Sequence, residues 1–144
     1  MLVPPTVPAI LFTNALARLT HEPGGLLCLQ WQPGPRELAG VQAVFEQLAW
    51  AQRHTRAPQL LNDELRAAPF AEAAKHWLTQ EWLPRQARFS GFAQVAAVLP
   101  AEVFARLSTV PVLARARQMG LPYHPCLSET EARAWLRQQP VARW

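Results

Sequence analysis

Asp63 is the only aspartate of the chain, and Glu64 and Arg66 follow it closely. Two adjacent carboxylates suggest a shared proton and acid–base chemistry, yet neighbours on an extended chain point to opposite faces. Asp63, Glu64 and Arg66 are therefore read as loop-capping and partner-contacting groups. Glu72 and His76 stand one helical turn apart and could meet as metal ligands or as an acid–base couple. A metal needs at least one more ligand, and His21, His54 and His124 have no spacing that supplies it. A surface Glu–His pair is expected, and Glu72 joins the partner-binding candidates. Trp82 lies five residues beyond Trp77 and beside Arg85, so it is expected to be partly exposed, as an interface anchor or a lid over the core edge. Cys28 sits inside an apolar run, away from the electropositive helix starts that activate thiols. No Ser-His-Asp or Cys-His motif is present, and no glycine-rich phosphate loop follows a strand. No catalytic residue, metal or cofactor is expected.

These groups need elements to hold them. Pro58 precedes the short apolar strand Gln59 to Asp63, and a helical run opens near Phe70. Upstream, Ala9–Asn14 and Ala15–Thr20 read as strand-like pieces. Glu22-Pro23-Gly24-Gly25 turns the chain into Leu26–Trp31, an N-terminal hairpin. Leu38, Val41, Phe45 and Leu48 make an apolar stripe on a helix spanning Arg36 to His54. Phe70, Ala73, Ala74, Trp77 and Leu78 repeat that spacing until Leu83-Pro84, where the helix is expected to stop. Phe92–Leu99 has the length and apolarity of a central strand covered on both faces.

Pro100 is expected to open the next helix, with Val103, Phe104 and Leu107 inward. Ser108-Thr109-Val110-Pro111 is expected to interrupt it before a second segment ends at Gly120. Leu121–Leu127 reads as an edge strand because Pro122 and Pro125 cannot donate to a ladder. Ser128 and Glu131 form a capping box for a last helix with Ala132, Trp135 and Leu136 inward. Strands alternating with helices predict an α/β domain over residues 9–144: a mixed, mostly parallel sheet of about five strands, four main helices and the hairpin. Three prolines among residues 1–8 predict a loose extension.

A length of 144 residues fits one domain, and a half-hydrophobic, 17% charged composition fits a packed core. The net charge of +4 comes from thirteen arginines and one lysine, Lys75. The arginines are scattered, many near helix C-termini where the macrodipole favours them, so no nucleic-acid partner is expected. No apolar run approaches the ~20 residues of a membrane span. Without a secretory leader pattern, a cytoplasmic protein with Cys28 and Cys126 as free thiols is expected.

Leu26–Trp31, Leu60-Leu61-Asn62-Asp63, Trp77–Arg85, Ala97-Val98-Leu99-Pro100 with Phe104 and Leu107-Ser108, and Glu131–Leu136 resemble, in order and spacing, the STAS-domain family. This family comprises anti-sigma-factor antagonist-like proteins and is related to CRAL-TRIO-type domains. The resemblance covers most of the chain from Leu26 to Leu136. It implies a single STAS-like domain and a bacterial regulatory or scaffold module that docks a protein partner, or itself as a homodimer, through the loop after the central strand. In that family a Ser or Thr at the following helix start is phosphorylated. Asp63 matches the acidic residue ending the strand, but the acceptor region falls on Phe70-Ala71-Glu72-Ala73, and no hydroxyl occurs between Thr55 and Thr79. The CRAL-TRIO likeness implies an alternative, a carrier of a small apolar or lipid-like ligand.

Overall fold

The computed structural model describes residues 5–89 and 91–140. Residues 5–8 carry neither helix nor strand, and the first half of the expected extension lies outside the described residues. Six strands form one sheet in chain order: β1 (Ala9–Thr13), β2 (Ala17–Glu22), β3 (Leu26–Trp31), β4 (Gln59–Asp63), β5 (Gln94–Val98) and β6 (Tyr123–Cys126). The first two pairings are antiparallel and the other three parallel. The sheet is thus mixed, as expected, with one strand more than the sequence suggests. Gly24 and Gly25 turn β2 into β3 with φ of 87° and 78°, a region side chains disfavour. A Cβ on Gly25 would also stand 3.0 Å from Pro58 Cδ.

Alternate residues of a strand face opposite sides, and the core divides accordingly. Leu27, Leu29, Trp31, Leu60 and Val95 point toward α1 (Leu38–Thr55), which buries Val41, Val44, Phe45 and Leu48 as its stripe predicts. Leu61, Ala96, Val98 and Cys126 form a second, smaller core with Ala132 and Leu136 of α5 (Glu129–Arg137). Strand β5 is therefore covered on both faces, and β6 lies at the sheet edge. At the start of α5, Ser128 Oγ accepts from the Glu131 N–H at 3.1 Å. Glu131 Oε2 reaches the Leu127 N–H at 2.9 Å, one residue earlier than in a simple capping box.

Two helices depart from the sequence expectation. Leu83-Pro84 does not stop the second one. The rod runs through α2 (Glu72–Trp77), a π turn (Leu78–Trp82) and α3 (Leu83–Arg88). In a regular α-helix Trp77 and Trp82 would diverge by about 140°. The wider π turn, with the Leu83 N–H bonded to the Leu78 carbonyl, brings them to one side. Their rings lie 5.9 Å apart, and Phe45 stands 5.0 Å from Trp82.

The helix α4 (Val103–Gln118) is also unbroken, with Pro111 inside it. Pro100 does not open it; Glu102 does, accepting from the Phe104 and Ala105 N–H groups at 3.0 and 2.7 Å. Its buried residues are Ala105, Ser108, Thr109, Leu113 and Ala116. Val103, Phe104 and Leu107, expected inward, are 58%, 69% and 63% exposed. The two hydroxyls explain this rotation. Ser108 Oγ accepts from the Phe70 N–H at 3.0 Å and donates to the Ala105 carbonyl at 2.9 Å, and Thr109 meets a buried ion pair.

Candidate functional site

The loop leaving β4 is held by its own acids. Asp63 Oδ1 accepts from the Leu65 N–H at 3.0 Å, and the Glu64 N–H donates to the Val98 carbonyl at 3.0 Å. Both carboxylate residues are buried, which corrects their assignment as surface contacts. Glu64 Oε1 pairs with Nη1 of Arg36, an arginine just before α1 that is itself buried. The Arg36 Nε donates to the Ala68 carbonyl at 2.7 Å, and Nη2 reaches Thr109 Oγ1 at 3.4 Å. Its guanidinium lies over the Phe70 ring, 3.5 Å from the centroid, with Trp31 at 5.1 Å. The Ala71 N–H bonds the Arg36 carbonyl, and residues 36 and 70 form an isolated parallel bridge. Charge pairing, ring contact and backbone bonds together tie the start of α1 to the loop before α2 and to α4.

The other candidates scatter. Arg66 is exposed and meets Gln32 Oε1 at 3.3 Å. Glu72 is exposed and pairs with Lys75 at 3.0 Å, not with His76. Trp82 is only 2% exposed, so the part exposure expected of it is overturned; the π turn folds it into the core. Of the five residues, Asp63 ends β4 and Glu64 and Arg66 follow it in the loop, while Glu72 and Trp82 stand apart on the next helical rod. Sequence reasoning missed Arg36, which looks like the first turn of a helix after Pro33-Gly34-Pro35. Only the rarity of burying an arginine without a carboxylate could have linked it to Glu64.

Behind Glu64 lies a cavity of about 40 Å³, lined by Phe45, Leu60, Trp82, Leu113 and Tyr123 among others. It has room for a few water molecules. Burial, and then the negative charge of Glu64, push the Tyr123 phenol up to about 12. Burial also pushes the Cys28 thiol up to about 12, and Cys126 is raised for the same reason. Both thiols are free, and two strands separate β3 from β6. Beside Cys28, Arg133 makes two bonds to Glu22 at 2.8 and 2.9 Å and one to Glu129 at 2.7 Å, which lowers the Glu22 carboxyl below its ordinary value. Among the described residues, no three His, Cys, Asp or Glu side chains group as metal ligands, and no helix is long and apolar enough to cross a membrane.

Of the ten large apolar side chains exposed among the described residues, four lie on α4, while Val7, Ile10, Trp50, Phe89 and Leu127 belong to other segments. Val103, Phe104 and Leu107 are joined by Val110, 44% exposed, and the loop after β4 adds Leu65, 40% exposed. The Ala101 N–H bonds the Leu65 carbonyl at 3.0 Å and so fixes that loop against the entry to α4. No family model matches the chain, and no match was found among curated proteins or solved structures.

Proposed function

We propose that this chain is a non-catalytic regulatory or scaffold module that binds a protein partner through the outer face of α4, with Leu65 and Arg66 beside it. One observation carries this: α4 turns Ala105, Ser108, Thr109, Leu113 and Ala116 inward and leaves Val103, Phe104 and Leu107 more than half exposed. Large apolar side chains gathered on a solvent face mark interaction surfaces. The STAS resemblance supports the same class, since that family works by docking at the loop after the central strand, which here abuts α4. Phosphorylation at the following helix start plays no part, because residues 56–78 hold no hydroxyl. The carrier alternative has less support: the apolar cavity behind Glu64, about 40 Å³, is far below the ~300–1,000 Å³ of typical ligand pockets, and the cleft of about 330 Å³ beside Phe89, Phe92 and Tyr123, which reaches that range, is walled more by polar than by apolar surface.

The test is affinity capture from the host, with wild type beside a Phe104→Gln, Leu107→Gln variant, followed by native mass measurement. A discrete protein complex that the variant loses is the expected result. An unchanged complex would move the interface elsewhere, and a small molecule carried through purification would favour the carrier. Both substitutions are at exposed positions, so the melting curve should hardly move.

A further inference from the structure

We infer that the partner of α4 is a protein segment whose apolar stripe is bordered by Asp and Glu side chains. This rests on the docking face proposed above and adds the chemistry of its occupant. At about 100° per residue, Val103, Leu107, Val110, Pro111 and Ala114 share the outward side of α4. Arg106 and Arg117 run along one edge of that stripe, and Arg115 stands with Phe104 on the other. All three arginines are exposed. Among the described residues, Glu102 is the one carboxylate on α4 or its entry, and it is engaged with two backbone N–H groups at the helix start; Asp63 and Glu64 of the adjoining segment are buried. An apolar stripe with cationic borders is complemented by one with anionic borders.

Two other occupants fit less well. An antiparallel second copy would set the Arg106–Arg117 edge against the same edge of its partner, a like-charge contact. An anionic bilayer would satisfy the arginines. However, Pro111 has no N–H for the Leu107 carbonyl, in the middle of the exposed stripe, and hydrocarbon offers no donor to replace it. A protein surface can supply one from a backbone or hydroxyl group.

The experiment uses two labelled helical peptides of about 18 residues with the same leucine stripe, one bordered by Glu and one by Lys. Anisotropy titrations against the full chain should show the Glu peptide binding at least about tenfold more tightly. That advantage should shrink at about 0.3 M salt and in an Arg106→Gln, Arg117→Gln variant. Leu107→Gln should abolish binding of both peptides while the circular-dichroism melt stays that of wild type. Equal affinity for the two peptides, lost on Leu107→Gln, would overturn the acidic partner and leave the docking face standing. Binding of either peptide unaffected by Leu107→Gln would overturn the docking face itself. Phosphatidylglycerol vesicles pelleting the protein without Glu-peptide binding, or sedimentation as a dimer without it, would give the face to lipid or to a second copy.

Discussion

Arg36 is the residue around which the loop after β4 is organised, and its environment sets a sharp contrast between two neighbouring side chains. Glu64→Gln keeps the shape but leaves a buried guanidinium without its counter-charge, which should cost about 3–5 kcal/mol. Arg66→Ala, two residues on and exposed, should cost about 0–1 kcal/mol. Urea denaturation of both variants measures the difference, and similar midpoints would contradict the buried pair. Ser108 offers a second check, because Ser108→Ala leaves the buried Phe70 N–H without its acceptor, worth about 1–3 kcal/mol. None of this was legible from local pattern. Asp63 and Glu64 look alike in the sequence, and what separates their roles is a partner 28 residues upstream. The Asp63 turn, by contrast, was foreseeable, since an Asx side chain commonly closes onto the backbone two residues ahead.

Among the elements, those whose largest side chains face the core were readable: α1, β4, β5 and α5 lie close to where periodicity puts them. The two misjudged helices each break one assumption. In the α2–α3 rod the assumption is a constant 3.6-residue turn, and the π turn removes it. In α4 it is that bulk decides the inward face, whereas Ser108 and Thr109 orient that helix through polar contacts with the Phe70 backbone and the Arg36–Glu64 pair. Trp82→Ala should therefore act on stability, at about 3–5 kcal/mol, and not on partner binding alone. Calorimetric melting would show it. A Trp82→Ala protein that melts like wild type but fails to bind would return this residue to the surface.

At the scale of the whole molecule, the alternation of strands and helices foretold the mixed sheet, Pro23-Gly24-Gly25 its hairpin, and Pro122 and Pro125 its β6 edge, while the side chains joining distant segments lay beyond reach. The sheet also sets the response to pH. Cys28 and Tyr123, ordinarily near 9.0 and 10.0, are each raised to about 12 in the folded chain, so above pH 9 the unfolded chain gives up protons that the folded one retains. Stability should be full below pH 9 and fall as pH rises toward 12. On the acid side, Glu22 is lowered by Arg133, so its contribution is full above pH 4.5 and is lost as pH falls through the depressed value. Urea midpoints across this range should trace both arms, and Cys28→Ser should flatten the alkaline one. Finally, the Arg36–Glu64–Thr109 cluster joins points 28, 45 and 73 residues apart along the chain. Contacts of such span demand long loop closures, so they should form after the rate-limiting barrier to folding has been crossed. Glu64→Gln should then leave the refolding limb of a chevron plot almost unchanged and steepen the loss of the native state, making this cluster a latch on the lifetime of the fold.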